Sequence, residues 1–198
     1  MTDYIVYVIA GIQGYLFGSI VFALIVQKIM HLTRDVRKEG SGNVGANNTL
    51  RVHGKLAGAM VLVGDMLKGV AAAWIGLQLG GVIGGGIAGI CAMLGHCFPV
   101  FYGFKGGKAV AVGGGIALVL VPKGFLVLVL LFVAVSAISR MVSLGSVLGA
   151  IALIAYAVVM TPPIPIYAFC VFGGALVVLK HKENIKRIIA GSESKLSY

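Results

Sequence analysis

The stretch AVAVGGGIALVLVPKGFLVLVLLFVAVSAIS, residues 109–139, decides how this chain is built. A membrane-crossing helix needs about 20 apolar residues. At 31 residues the stretch is long for one crossing and short for two. Pro122-Lys123-Gly124 interrupts it near the middle. Proline clashes with the preceding helical turn and supplies no backbone donor, so it ends a helix. Two short helices joined by a tight turn are therefore expected at about 109–139.

Four further apolar runs, Tyr4–Gln27, Leu56–Leu79, Val82–Phe101 and Ser143–Met160, are each close to one span in length. Another follows Thr161-Pro-Pro-Ile-Pro165 and runs to about Leu179, giving seven. Charge tests that count, because lysine and arginine concentrate in cytoplasmic loops. With seven spans, fourteen of the sixteen basic residues fall on one face, leaving Lys123 opposite and Lys68 inside a span. Taking 109–139 as one helix would send Arg140 and the tail cations to the other side. The expected fold is an all-α integral membrane protein, a seven-helix transmembrane bundle forming one domain over residues 1–198. Its N-terminus, with Asp3 and no nearby cation, lies outside, and its C-terminus is cytoplasmic. Gly14 and Gly18 have the small-xxx-small spacing that suits close helix packing.

Composition agrees. The chain is 59% apolar and 11% charged with mean hydropathy +1.03, whereas soluble domains carry about 25% charged residues. The formal charge of +10 sits in short loops between apolar runs. That pattern fits anionic headgroups, and no nucleic-acid partner is expected. Cys91, Cys97 and Cys170 lie in or beside apolar segments without metal-ligand spacing and read as small apolar residues. No metal or other cofactor is expected, and the first residues lack the features of a secretory signal.

The polar clusters all fall on the expected cytoplasmic face. Lys105-Gly106-Gly107-Lys108 could form a turn whose N–H groups and two ammonium groups attract a phosphate or carboxylate; a positive anchor on a flexible loop is the plainer alternative. Gly40-Ser-Gly-Asn-Val-Gly-Ala-Asn-Asn-Thr-Leu-Arg51 packs amides, a hydroxyl and a guanidinium into twelve residues. Arg51 suits bidentate phosphate binding, with Ser41 or Asn43 donating to a further oxygen; a Gly/Asn linker is the alternative. In the tail, His181 and Asn184 share a helix face, and Ile185, Ile188 and Ile189 form a stripe that also suits an interfacial basic helix. Glu193 opposes the charge around it and calls for a partner such as an arginine. Asp65 and Lys68, at i and i+3 inside a span, are expected to pair, with a site role equally open. Ser143 and Ser146 share a face below Arg140, and serines in such helices also cap backbone carbonyls.

Some patterns are false. Gly84-x-Gly86-x-x-Gly89 matches a dinucleotide fingerprint, but it lies in an apolar run without a strand before it. His31-Leu-Thr-Arg-Asp35 is one residue short of the HxxxxD signature of acyl-CoA-dependent glycerolipid acyltransferases. A CDP-alcohol phosphatidyltransferase would need clustered aspartates, and only Asp65 lies within a span.

Ser41-Gly-Asn-Val-Gly-Ala, Gly95-His-x-x-Pro-Val-Phe…Phe-Lys-Gly-Gly-Lys and His181-x-x-Asn-Ile-x-Arg…Gly-x-Glu193 occur in this order in a chain of about 200 residues. Together they resemble the bacterial acyl-phosphate:glycerol-3-phosphate acyltransferase (PlsY) family over nearly the whole chain. Departures from the family pattern are Asn47 for threonine, Ala109 for glycine and Val112 for threonine. The resemblance implies transfer of a fatty acyl group from a long-chain acyl-phosphate to the sn-1 hydroxyl of glycerol 3-phosphate. The products are lysophosphatidic acid and inorganic phosphate, formed by a monomer among lipids of the bacterial inner membrane. It implies catalytic roles for Ser41, Lys108, His181 and Asn184. Substrate contacts fall to Gly42, Asn43, Gly45, Asn48, Arg51, His96, Lys105, Gly106, Gly107, Ser143, Ser146 and Glu193. An acyl-phosphate is already activated, so positioning and charge stabilisation suffice. The base is either His181 or the donor's own phosphate, which lies beside the attacking hydroxyl without extra machinery. The competing class is an organic-phosphate transporter, which explains the anion sites but not their placement on one face.

Overall fold

The structure, a computed structural model, describes residues 2–196. Asp3 lies outside the residues whose side chains it describes. The helices are α1 (Thr2–Gly18), α2 (Phe22–Ile29), α3 (Ala46–His53), α4 (Lys55–Cys97), α5 (Val110–Leu120), α6 (Pro122–Ser139), α7 (Val142–Met160), α8 (Ile164–Lys180) and α9 (Lys182–Ile189). No strand occurs among the described residues. All seven expected apolar segments are helical.

The first of them is not one helix, as expected, but two, bent by 43° between α1 and α2. Gly18 packs so closely on the Ala92 carbonyl that a Cβ there would overlap it. The Ile20 N–H closes a tight bond to Phe17 at 3.2 Å, and the helix then restarts at Phe22. The Ile20 carbonyl is left outside the helical ladder and accepts from Lys68 Nζ at 2.6 Å. Gly14 likewise packs against the Ala88 backbone, so the small-xxx-small spacing does mark a close contact.

Helix α4 is a hairpin in disguise. Gly80 (φ −134°) and Gly81 (φ 58°, ψ −151°) are non-helical, and Gly81 occupies a region open essentially to glycine alone. Gly76 then faces Gly84 and Ala88, where a Cβ on Gly76 would lie 2.6 Å from the Ala88 Cβ. The two arms, 55–79 and 82–97, are the expected second and third segments.

The 109–139 stretch divides as expected, with the turn reduced to Val121 alone and Pro122 at the first position of α6. Proline is tolerated there because that N–H has no helical acceptor. Helix α5 has 11 residues, about 16 Å of rise, so it is roughly half a crossing. It is also central. Gly69 and Gly115 let its backbone pack directly on the first arm of α4, against Val112 and Met66 respectively. Met93, Ile116 and Phe169 close the core around it, with Cys97 and Cys170 as apolar packing.

The first polar loop is folded over a small core of Val36, Val44, Val52 and Val61. At the other end of the chain, the Leu196 N–H donates to the Arg140 carbonyl at 2.7 Å. The Arg140 guanidinium returns bonds of 3.1 and 2.8 Å to the Leu196 carbonyl. The tail is thereby folded back beside the start of α7.

Candidate active site

The three polar clusters converge on one cavity of about 350 Å³. Its walls are the 40–51 segment, the start of α5, the start of α7 and the 181–194 segment. Helices α3, α5 and α7 all begin there, directing the positive ends of their dipoles inward. At α5 the first intrahelical bond is Gly113 N–H to Ala109. The N–H groups of Val110, Ala111 and Val112 therefore precede any helical acceptor.

One polar relay runs across the cavity. Lys108 Nζ donates to Asn184 Oδ1, and Asn184 Nδ2 donates to Glu193 Oε1 at 2.7 Å. Glu193 also accepts from Ser143 Oγ at 2.8 Å and from Arg187 Nε at 2.7 Å. The expected arginine partner of Glu193 is thus Arg187. Burial works to raise the Glu193 pKa, but the donors Asn184, Ser143 and Arg187 outweigh it and hold the carboxylate below its usual range. Burial, followed by the nearby Arg187 charge, pulls the Lys108 pKa down.

His181 caps α8 and is buried. Its Nδ1 lies 2.8 Å from the Val177 carbonyl, which can only accept, so Nδ1 carries the proton and Nε2 is the acceptor. Burial pushes its pKa down to about 4. His181 is therefore a neutral ring presenting a lone pair. Arg51 lines the cavity, is exposed, and has no hydrogen bond or ion pair among the described residues. Ser41 and Asn43 line it beside Arg51, with Asn43 Oδ1 accepting from Gly45 N–H at 2.8 Å. Ser146 lines it too, but its hydroxyl donates to the Val142 carbonyl at 2.9 Å, the carbonyl-capping alternative.

Several expectations need correction. Gly106 and Gly107 do not form an open anion nest, because their N–H groups donate to the Cys97 and His96 carbonyls at 3.2 and 3.0 Å. They are glycines because a Cβ at either position would overlap His96. Lys105 is exposed and outside the cavity walls, as is Gly42, whose N–H is bonded to the Glu39 carbonyl at 3.0 Å. Asn48 touches the cavity, but its amide is committed to the loop. It donates to the Val36 and Glu39 carbonyls at 2.9 and 3.1 Å and accepts from Ser41 N–H at 2.8 Å. That stapling also rules out the free Gly/Asn linker.

Asp65 and Lys68 pair as expected, at 2.9 Å. Both Asp65 and His96 reach the cavity wall. Sequence reasoning missed Arg187 as a site residue, although it lies in the third motif one turn beyond Glu183. An apolar groove of about 360 Å³ runs between helices, where the resemblance implies the acyl chain lies, and sequence reasoning did not name its lining by Met66, Phe125, Leu128, Phe132, Gly149 and Leu153, among others. The groove meets the polar cavity at Leu62, Ala109–Ala111, Phe132 and Ser146, which line both. Five different helices build it, so no local pattern marks it.

Residues 8–191 match the family model described as glycerol-3-phosphate acyltransferase. The chain is 42% identical over 185 residues to a glycerol-3-phosphate acyltransferase of Geobacillus kaustophilus, covering 93% of each. It is 46% identical over 188 residues to one of Exiguobacterium sibiricum, covering 93% of this chain and 91% of that one. Among solved structures it is similar to PlsY (YgiH), an integral membrane glycerol 3-phosphate acyltransferase. The glycerol 3-phosphate form gives a TM-score of 0.91 at 35% identity over 96% of both chains. The lysophosphatidic acid form gives 0.88 at 34% identity, over 96% of this chain and 95% of that one.

Proposed function

The chain belongs to the glycerol-3-phosphate acyltransferase family, and from that premise we propose that it transfers a fatty acyl group from an acyl-phosphate to the sn-1 hydroxyl of glycerol 3-phosphate. The observation that carries this reading is the junction at Ala109–Ala111, where a cationic polar cavity opens into an apolar groove. The donor has the same two-part character, a phosphorylated head on a hydrocarbon chain.

Arg51 and Arg187 offer guanidiniums to a phosphate, and Lys108, held by Asn184, offers an ammonium. A second hydroxyl of the acceptor donates to His181 Nε2, which leaves the hydroxyl to be acylated free to donate to the donor's phosphate oxygen while aimed at the acyl carbon. Val110 and Ala111 line the junction, and their N–H groups, which precede any helical acceptor, suit the oxyanion that forms on the carbonyl. As the new C–O bond forms, the bond from the acyl carbon to the phosphate oxygen breaks. A histidine held near pKa 4 is a poor acceptor at neutral pH. The donor's phosphate oxygen takes the hydroxyl proton instead, and inorganic phosphate leaves. Ser41 lies on the wall as a hydrogen-bonding group, with no covalent acyl intermediate required.

The basic-residue count supports placing the cavity on the cytoplasmic face of the bacterial inner membrane. This chain by itself supplies both the phosphate-binding cations and the apolar groove, so a monomer with a single membrane-embedded domain is the form proposed. The test is phosphate release by purified protein given glycerol 3-phosphate and palmitoyl-phosphate, with palmitoyl-CoA in parallel. Release with the acyl-phosphate alone, dependent on glycerol 3-phosphate, is the expected result. Turnover with acyl-CoA alone would overturn the donor assignment. No turnover, with uptake of glycerol 3-phosphate into liposomes, would favour a transporter.

A further inference from the structure

Lys68 has no role in the chemistry described above, yet it is among the most deliberately held groups in the molecule. It is 3% exposed, beside Asp65 at 2% and His96 at 7%. An ammonium has three N–H donors and no acceptor. Its nitrogen has three acceptors within reach: the Ile20 carbonyl at 2.6 Å, His96 Nδ1 at 2.9 Å and Asp65 Oδ1 at 2.9 Å. The first of these exists only because the helix breaks between α1 and α2. Burying a charge in a membrane segment is costly, and partners are arranged where it is tolerated.

The consequence falls on His96. A nitrogen that accepts from an ammonium carries no proton, so in the neutral ring the proton lies on Nε2. His96 lines the polar cavity, and its Nε2 lies against Gly107, where any Cβ would overlap it. Among the described residues no hydrogen-bond partner meets Nε2. The imidazole thus carries a fixed N–H, without a charge, on a residue that lines a cavity also holding Lys108 and the α5 N-terminus.

We infer that Lys68 is a positioning residue that locks His96 in the Nε2–H tautomer, so that His96 donates to a phosphate oxygen of the acyl donor. The ligand class rests on the function proposed above, whereas the tautomer does not. Tautomer locking by a neighbouring group is how histidine roles are set in other polar sites. Here the locking group is a buried cation. A neutral donor at this depth adds binding without adding to the repulsion among Arg51, Lys108 and Arg187.

The experiment is long-range ¹H–¹⁵N spectroscopy of the full chain labelled with ¹⁵N-histidine in detergent, with His96 assigned by the signal lost in His96→Asn. The wild-type protein should show a protonated Nε2 and a bare Nδ1 at His96. A protonated Nδ1 overturns the inference, and this arm requires no turnover. The second arm uses Asp65→Asn/Lys68→Met, which removes both charges together because a lone buried partner is more damaging than the pair's loss. His96 should then populate both tautomers. The KM for palmitoyl-phosphate should rise about tenfold, as expected for one lost hydrogen bond to a charged group, with the KM for glycerol 3-phosphate within about twofold. Unchanged His96 signals with an unchanged donor KM overturn it. If the double variant does not fold, the wild-type spectrum decides alone. A wild-type protein that shows the Nε2–H form but turns over no acyl-phosphate would sink the donor assignment and leave the tautomer standing.

Discussion

Lys108 and Asn184 stand 76 residues apart in the chain and are joined by a direct hydrogen bond across the cavity. Because the same Asn184 amide donates to Glu193, which holds Arg187, two cations from opposite walls share one polar scaffold. This relay fixes the spacing of positive charge before any anion enters. Pre-organised charge suits the binding of a phosphorylated substrate.

Asn184→Ala should therefore cost more than one contact. It frees the Lys108 ammonium and leaves the Glu193 carboxylate short of a donor. The expected result is a folded, membrane-inserted protein whose kcat/KM falls roughly 100-fold, equivalent to about 2.7 kcal/mol. A loss of only a few-fold would show that the relay is ornamental.

Arg51 is exposed and carries no structural bond, so Arg51→Ala should separate binding from folding. Helical content and thermal stability should stay within error. The KM for glycerol 3-phosphate should rise by about one to two orders of magnitude, as for a lost charge-assisted pair. Titration of initial rates against both substrates would reveal whether the donor KM moves instead.

His181 gives a pH prediction with a definite sign. Its pKa is depressed from 6.5 to about 4, so between these values the unfolded chain binds a proton that the folded chain does not. Stability from this group is complete above pH 6.5 and is lost as the pH falls toward 4, by up to roughly 3 kcal/mol. Unfolding measured from pH 7 to 4 should show a shallower loss in His181→Asn than in the wild type. For the same reason, the wild-type rate should show no histidine inflection near 6.5.

Gly149 lines the apolar groove and has nothing within 4 Å of where a Cβ would stand. Gly149→Leu should fold normally and fill part of the groove. Palmitoyl-phosphate should lose several-fold in kcat/KM relative to a shorter donor such as octanoyl-phosphate. Equal losses for both chain lengths would exclude the groove as the acyl site.

Ala109 begins α5 with φ 60° and is fully buried at the meeting of cavity and groove. Alanine pays about 1–2 kcal/mol for that left-handed conformation, and a β-branched side chain fits it worse still. Ala109→Val should lower thermal stability and abolish most turnover, while Ala109→Gly should keep activity. Comparing the melting of the two variants checks the backbone argument directly.

Much of this architecture is legible in the sequence, for identifiable reasons. Pro122 and Gly80-Gly81 punctuate the apolar runs because each has a backbone restriction or freedom that a helix interior lacks. The Asp65–Lys68 pair follows from spacing alone. What the sequence hides is the use made of shared atoms. The Gly106 and Gly107 N–H groups look like anion donors until the end of α4 folds back to accept them. Asn48 looks like a ligand amide, yet it closes its own loop. Arg187 reads as one more tail cation until Glu193 turns it inward. The break after Gly18 is invisible as well, since the chain there packs against the Ala92 backbone on another helix.

The shortness of α5 makes bilayer thickness a variable of the reaction. At 11 residues it reaches only part of the way from the Val121 turn, beside exposed Lys123, toward the opposite face. On the proposed reading, acyl transfer then takes place below the headgroup plane, at the floor of a polar indentation. Water-soluble acceptor must descend to that floor, while donor and product drift sideways through the leaflet. A thicker membrane deepens the descent for one reactant without changing the path of the other. Turnover in bilayers of increasing chain length should accordingly fall through acceptor access, with the chemistry itself untouched.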